Sequence, residues 1–504
     1  MDDQQYVYAT AAVMGLYFLI QVATKRFDPF APVWLFFVGF VQVYVIQAIS
    51  YRDWAISVRG PEAVAAANFR ALWALLWFLA VYHIGISRVV ARRLPSAPRN
   101  WSSTTVVLIS PILIAWGLYC TSLFGATTVD TISAEDALLR SFPFVLMVGG
   151  ILLITTGRRL DAPKPMFLYA GLAVSCAYVV IWMFNGKRSH SLIGVLATVC
   201  AYYSAHMKRP SWSVLAITSF VGALVVSLAI GWRNNADYER SFSGFSQFVG
   251  DFKLSKILDS LDIADEESAK EMVSYETKEY GGFLLMLDAV PMKSAYDYGT
   301  SYIRIVSTFI PRLIWTNKPL FGRKEWVDAW IASSELERDD EFTGPAIGIL
   351  GATQLNGGAV GTLIVLAVIA LFLRSAYDYS RLHADAPWVQ FTWSIFFFNA
   401  WFMVVCDDPM VWFYFNWGFS AMPTVVLTWF ICKFTASTAV PGRAVAFEDV
   451  EPAALVAAIP PDPRGARRDR EKGLLPMERS NRNLRPTPEF ADAGPSWNGK
   501  DSQG

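Results

Sequence analysis

The chain has 504 residues, of which 54% are hydrophobic and only 17% are charged, and its formal net charge is zero. This composition over such a length predicts many membrane-spanning helices rather than one large soluble core. Zero net charge argues against a general basic field for nucleic acid. The five cysteines lie in or next to apolar runs without paired spacing, so they predict neither a disulfide framework nor a zinc site.

Apolar stretches of membrane-spanning length recur along the chain from Tyr6 to Ile431. Each is close to the length that crosses about 30 Å of hydrocarbon, and the shortest are 142–156 and 191–205. The start of the chain lacks the basic residues of a secretory signal, so we expect the first run to be a retained helix. The eleven predicted spans are 6–24, 32–49, 69–86, 105–124, 142–156, 166–184, 191–205, 212–230, 350–373, 388–405 and 412–431. The predicted fold is an all-α polytopic membrane protein.

Basic residues in the short loops predict the orientation of these spans. They fall on alternate loops, at Lys25, Arg26, Arg88, Arg92, Arg93, Arg99, Arg158, Arg159, Lys164, Lys208, Arg209, Arg374 and Arg381. Because basic short loops stay in the cytoplasm, the N-terminus is predicted to lie outside and the C-terminus inside. The loop from Asn185 to His190 is an exception, since it is basic and yet is placed on the external side.

A long polar break between the eighth and ninth spans divides the chain. The predicted organisation is 1–232 with spans one to eight, 233–349 as a large external segment, 350–432 with spans nine to eleven, and 433–504 as a cytoplasmic tail. Mixed charge and helical spacing over 246–280 predict an amphipathic helix, and the apolar run before Trp315 predicts an interfacial or partly re-entrant one. Few aromatics and many Pro, Ala, Arg and Glu residues predict a disordered tail. Gly357-x-x-x-Gly361 predicts close packing between helices, with a glycine-lined approach for a lipid or sugar as the alternative.

Fixed cations collect on the predicted external side. They are Lys187, Arg188, Arg233, Arg304, Arg312 and Lys318. Charges at a membrane boundary are costly and usually functional, although any one of them can also anchor a lipid headgroup. Arginine stays charged when desolvated and binds phosphate oxygens through two parallel hydrogen bonds. Several converging arginines therefore suit a diphosphate group.

Candidates for a general base are few on that side. Three of the four histidines belong to the predicted cytoplasmic side, which leaves His190 as a base or as a residue that tolerates the interface. External carboxylates include Asp297, Asp407 and Asp408. The sequence holds no HExxH motif, nucleotide P-loop or dinucleotide fingerprint, which argues against ATP-driven transport and Rossmann redox chemistry.

Short motifs give the chain a resemblance to a known family. The motifs are Asn185-Gly186-Lys187-Arg188, Arg233-x-Asn235, Tyr298-Gly299-x-Ser301-Tyr302, Phe309-Ile310-Pro311-Arg312, Trp315-x-x-Lys318-Pro319 and Asn356-Gly357-Gly358-x-x-Gly361. In these motifs, and in its layout over 1–432, the chain resembles the oligosaccharide repeat-unit polymerases, the Wzy-type O-antigen polymerases. The tail lies outside this resemblance.

The resemblance implies a GT-C-like glycosyltransferase of the bacterial inner membrane that acts at the periplasmic face. Its donor would be an undecaprenyl-diphosphate-linked oligosaccharide, its acceptor a hydroxyl of a new lipid-linked repeat unit, and a chain-length regulator a further partner. No cofactor or metal is implied. Arg188, Arg233 and Arg312 are expected to hold the diphosphate, with Lys187, Arg304 and Lys318 assisting. His190 or Asp297 is expected to deprotonate the acceptor.

Other functions stay open at this point. An O-antigen ligase would use the same donor chemistry with a different acceptor. A transporter of polysaccharide or lipid-linked sugar would be expected to show paired halves or interrupted helices at matching positions, which the sequence does not display. A glycosyltransferase with a single-sugar lipid donor is a third possibility, with Asp53 as a candidate residue.

Overall fold

The computed structural model describes residues 2–126, 144–159, 163–206, 208–234, 238–239, 241–252, 279–300, 302–303, 315–316, 346–405 and 421–434. Within these ranges the protein is helical and contains no β-strand. The helices are α1 (Asp3–Ala23), α2 (Pro32–Ser50), α3 (Arg52–Arg59), α4 (Pro61–His83), α5 (Ile86–Arg93), α6 (Ser103–Ala126), α7 (Phe144–Gly157), α8 (Pro165–Phe184), α9 (Arg188–Ser204), α10 (Trp212–Asn234), α11 (Phe242–Asp251), α12 (Glu279–Ala289), α13 (Gly348–Leu382), α14 (Pro387–Phe396), α15 (Asn399–Val405) and α16 (Met422–Phe434). The predicted tail beyond 434 lies outside the described residues.

The chain is a multi-pass membrane protein. In the described part, eight helices are long and apolar enough to cross a membrane, with α14 and α15 counted together as one span. These eight correspond to eight of the eleven predicted spans. The predicted spans 142–156, 191–205 and 412–431 correspond to α7, α9 and α16, which are shorter helices. The count of eleven therefore stays a prediction.

Local sequence signals place several helix starts. The Asp2 side chain accepts a hydrogen bond from the α1 backbone, and the backbone nitrogen of Asp2 donates one to the Gln5 side chain at 3.2 Å, so the two residues form a capping box. Proline stands in the first turn of other helices because its missing N–H would have no helical partner there. These prolines are Pro32, Pro61, Pro165 and Pro387.

Polar contacts define two ends of the helix bundle. At the Asp3 end, Arg52 binds the Asp3 carboxylate at 2.7 Å and Asn68 donates to the Asp3 carbonyl oxygen at 3.2 Å. At the Asp28 end, the buried Asp28 carboxylate accepts from the Tyr377 hydroxyl at 2.7 Å and lies 3.5 Å from Arg381. The first loop and the last turns of α13 therefore share one end of the bundle.

Helix α7 lies at the centre of the bundle, with every residue from Phe144 to Gly157 buried. Small residues let its neighbours approach closely. A methyl group added to Gly117 of α6 would lie 2.5 Å from the amide nitrogen of Leu146, and one added to Gly171 of α8 would lie 2.7 Å from the carbonyl oxygen of Gly150. This close approach is how membrane helices gain packing contacts where lipid is as apolar as their side chains.

Helix α13 is broken at Gly357 and Gly358, both of which have non-helical backbone angles. The preceding part, from Gly348 to Asn356, is buried at every residue. The predicted close packing is found at Gly361, where a methyl group would lie 2.6 Å from the carbonyl oxygen of Thr353 on the other side of the break, and not at Gly357, where one would meet nothing within 4 Å. Glycine is needed at Gly358 for its φ of +63° and for the Tyr296 hydroxyl, which would stand 2.8 Å from an added methyl group.

The described parts of the segment 233–349 pack onto the Asp3 end. Helix α11 buries Phe245 and Phe248 in one cluster with Trp232 from the end of α10, so its apolar face lies on the bundle. Helix α12 is joined to the bundle through Asp288, which binds Arg59 of α3 and Lys293 at 2.7 Å each. Burial alone would raise the pKa of Asp288, but Lys293 and Arg59 together hold that pKa below its usual value.

Candidate functional site

The turn between α8 and α9 holds the first group of predicted site residues. Asn185 ends α8, and Gly186 follows with a φ of +65°, which only glycine adopts without strain. The backbone nitrogen of Lys187 then donates a hydrogen bond to the carbonyl oxygen of Trp182 at 2.9 Å. A methyl group on Gly186 would lie 3.0 Å from Cβ of Arg233, so the end of α10 packs directly against this turn. The fold thus brings Lys187, Arg188 and Arg233 together.

Arg188 is the first residue of α9 and is exposed. Among the described residues it has no ion-pair partner, and it lines a cavity of about 790 Å³. The walls of this cavity come from α1 and α2 on one side and from α9 and α10 on the other. The other lining residues are Met14, Phe18, Phe27, Pro29, Trp34, Phe37, Val38, Val41, Gln42, Ile46, Gln47, Tyr51, Leu192, Trp212, Leu215, Ser219, Val226, Ile230 and Trp401.

The cavity extends along most of the length of α10. Its lining residues on α10 extend from Trp212 to Ile230, a rise of about 27 Å at 1.5 Å per residue. That length is close to the thickness of the hydrocarbon core, about 30 Å. At the Asp28 end, Phe27 stacks on Trp212 with ring centroids 5.0 Å apart. The arrangement is an apolar groove with a cation at its opposite end.

The wall opposite Arg188 carries polar side chains within an apolar helix. Helix α2 contains a π-helical stretch from Gln42 to Gln47, a widened turn that is often found at functional sites. Gln42 accepts a hydrogen bond from the Trp401 indole at 3.0 Å. Gln47 donates to the Glu279 carboxylate at 2.6 Å and accepts from the backbone nitrogen of Tyr280 at 3.0 Å. The amide of Gln47 therefore connects the cavity wall to the start of α12.

Asp297 lies in a different place, beside the break in α13. Its backbone nitrogen donates to the Leu355 carbonyl at 2.9 Å, and its buried side chain accepts from the Thr300 hydroxyl. The backbone nitrogen of Gly299 donates to the Asn356 side chain at 2.9 Å. These contacts hold the 297–300 turn on the broken helix. None of the described contacts joins Asp297 to Arg188.

Arg70 of α4 also reaches the break in α13. Its guanidinium donates to the Gln354 side chain before the break and to the Thr362 hydroxyl after it, the latter at 2.8 Å. The Nε of Arg70 is buried, with no hydrogen-bond partner among the described residues. Arg70 therefore connects the two parts of α13 by hydrogen bonds to neutral side chains. This role was not predicted, although the sequence shows Arg70 as a cation at the start of a span.

His190 follows Arg188 in the first turn of α9. Its ring stacks on Trp182 with centroids 4.5 Å apart, and Nδ1 lies 3.3 Å from the Ser189 hydroxyl. This stack fixes the imidazole beside the turn that carries Lys187 and Arg188. The other predicted site residues, Arg304, Arg312 and Lys318, lie outside the described residues, as do Asp407 and Asp408.

The described residues contain no group of three or more His, Cys, Asp or Glu side chains arranged to hold a metal ion. No protein-family model, curated protein or solved structure matches the chain.

Proposed function

We propose that this protein is a glycosyltransferase that polymerises lipid-linked oligosaccharide repeat units. It transfers the growing glycan from an undecaprenyl-diphosphate donor to a hydroxyl of an acceptor repeat unit. The observation that supports this most directly is the groove of about 790 Å³ that ends at Arg188. An apolar groove of membrane depth suits a long isoprenoid chain, and a cation at its end suits the diphosphate.

The chemistry of transfer gives the cations a role beyond binding. When the bond between the sugar and the diphosphate breaks, negative charge develops on the leaving diphosphate. Arginines fixed in place beforehand stabilise that charge more strongly in the transition state than in the ground state. We assign this role to Arg188 and Arg233, which lie beside the Gly186 turn, and Lys187 adds a third positive charge.

The proposal includes a location and an orientation. The enzyme is a GT-C-like protein of the bacterial inner membrane with eleven spans, including the shorter helices α7, α9 and α16. The Asp3 end faces the periplasm and the Asp28 end the cytoplasm, as the basic short loops predict. In this orientation Arg188 and Arg233 lie at the periplasmic face, where a chain-length regulator would meet the growing glycan.

The test is the length distribution of surface glycan in a bacterial strain that lacks the protein. We expect long chains to disappear while single repeat units stay on their lipid carrier. Complementation with the wild type or with Arg209→Ala, an exposed arginine next to the other end of α10, should restore long chains. Complementation with Arg188→Ala should not.

Two outcomes would contradict the proposal in different ways. Long chains that persist on the lipid carrier without being attached to their final acceptor would indicate a ligase. The absence of any repeat unit at the outer face would indicate a transporter.

A further inference from the structure

A carboxylate is hydrogen-bonded to Gln47, one of the residues that line the groove. Glu279 is the first residue of α12 and is half-buried. Its Oε2 accepts a hydrogen bond of 2.6 Å from Gln47, and the other end of that amide accepts from the backbone nitrogen of Tyr280 at 3.0 Å. Because Gln47 and Arg188 line the same cavity, the Glu279 carboxylate is one hydrogen bond away from a lining residue of the cavity that contains the cation.

The surroundings of Glu279 differ from those of other carboxylates at this end. Asp3 is paired with Arg52, and Asp288 is paired with Arg59 and Lys293. Among the described residues, Glu279 has no ion-pair partner and is held by the neutral amide of Gln47. Within the part of the chain that the structure describes, the Glu279 carboxylate is therefore held by a hydrogen bond to an amide and is not neutralised by a fixed cation.

The packing around Glu279 also fixes its position. A methyl group on Gly348, at the start of α13, would lie 3.4 Å from Cβ of Glu279 and 3.2 Å from the Tyr44 hydroxyl. That hydroxyl accepts a hydrogen bond from the backbone nitrogen of Leu350 at 2.9 Å. The carboxylate thus stands where α2, α12 and α13 meet, on a rigid support of the kind that a positioned base requires.

We propose that Glu279 is the general base for glycan transfer, an inference that rests on the proposed function. The Glu279 carboxylate takes the proton from the acceptor hydroxyl as its oxygen forms a bond to the anomeric carbon of the donor sugar. The bond from that carbon to the diphosphate oxygen breaks, and its electron pair leaves with undecaprenyl diphosphate near Arg188. The proton on Glu279 then passes to water.

The variant Glu279→Gln distinguishes a catalytic role of Glu279 from a structural one. In Glu279→Gln the amide oxygen can still accept the hydrogen bond from Gln47, so the junction of α2 and α12 keeps its contact. What the variant loses is the ability to take up a proton. Glu62→Gln, at an exposed position in the first turn of α4, is the matched control.

The experiment uses the full-length protein purified in lipid nanodiscs. The substrate is lipid-linked repeat unit extracted from the deletion strain, and binding is measured with undecaprenyl diphosphate alone. For Glu279→Gln we expect a polymerisation rate at least about 100-fold lower than wild type, as for removal of a general base. We expect its Kd for undecaprenyl diphosphate to be unchanged, and Glu62→Gln to match the wild type in both.

A second variant separates lost chemistry from lost packing. Glu279→Ala opens space for a small carboxylate, so added formate should restore part of its rate but should not affect Glu62→Gln. Absence of rescue, or a rate for Glu279→Gln within about threefold of the wild type, would overturn the assignment of Glu279. The proposed function fails by a separate result, namely a wild-type protein that neither elongates the glycan nor binds undecaprenyl diphosphate.

Discussion

The sharpest prediction concerns Arg188 and the anionic end of the ligand in the groove. Arg188→Ala removes the cation that lines the cavity, while the apolar walls formed by α1, α2 and α10 remain. Hydrogen bonds to charged groups contribute about 1.5–3 kcal/mol each. Because Arg188 is exposed and therefore partly screened, we take about 2 kcal/mol for its whole contribution, which corresponds to an affinity about 30-fold weaker.

The assay compares two ligands that share the isoprenoid chain and differ in the diphosphate group. Radiolabelled undecaprenyl diphosphate and undecaprenol are titrated against the purified protein in nanodiscs. Arg188→Ala should weaken binding of the diphosphate about 30-fold at 2 kcal/mol and leave undecaprenol unaffected. Arg188→Lys keeps the charge but loses the planar fork of donors, so its affinity for the diphosphate should lie between those of the wild type and of Arg188→Ala.

The control is Arg209→Ala, which removes an exposed arginine that does not line the groove. It should bind both ligands as the wild type does. Two results would refute the reasoning. One is an Arg188→Ala protein that binds the diphosphate with wild-type affinity. The other is an equal loss of undecaprenol and diphosphate binding, which would mean that Arg188 supports the shape of the groove rather than the charge of the ligand.

Three further predictions follow from the described contacts. Ser219→Trp fills the groove and should lower the affinity for undecaprenol at least about tenfold, whereas Ile217→Trp, on the exposed face of the same helix, should not; equal effects would contradict the assignment of the groove. Arg70→Ala leaves the Gln354 side-chain oxygen without its donor at the break in α13, so we expect the free energy of unfolding to fall by about 2–3 kcal/mol and the melting temperature to fall by several degrees. An unchanged melting temperature would show that the break does not depend on Arg70. Asp288→Asn should lower the melting temperature at pH 7. The pKa of Asp288 is lower in the folded protein than in the unfolded chain, so its carboxylate stabilises the fold above the unfolded pKa of about 4. This stabilisation is lost as the pH falls through the folded pKa, and the melting temperatures of wild type and variant should therefore converge in acid. A difference in melting temperature that does not change with pH would contradict this linkage.

The membrane helices were predictable from the sequence because hydropathy reports burial in lipid directly. The second span, predicted as 32–49, is the helix Pro32–Ser50. The ninth span was predicted as 350–373, but α13 extends from Gly348 to Leu382 with a break at Gly357. Hydropathy does not detect such a break, because it averages over a long window and the interruption lies in the backbone angles of two glycines.

The site was predictable only where local sequence carries the signal. A basic run in a turn between two spans directed attention to Lys187 and Arg188, and Arg233, which was also predicted, lies against that turn at Gly186. Gln47 was not predicted, although it is a polar residue inside a predicted span, a position that is usually functional. Its partner Glu279 lies 232 residues away, in a stretch with many other charges, so only the fold could select it.

Two arginines near the Asp3 end show why a count of cations does not define a site. Arg70 lies in a span and donates to Gln354 and Thr362, so its hydrogen bonds connect the two parts of α13. Arg188 lies at the start of a helix, is exposed, and faces a groove lined with apolar side chains. Both positions read as cations at a membrane boundary in the sequence. A ligand can compete only for donors that the fold leaves available, so substitution of Arg188 should change binding and substitution of Arg70 should change stability.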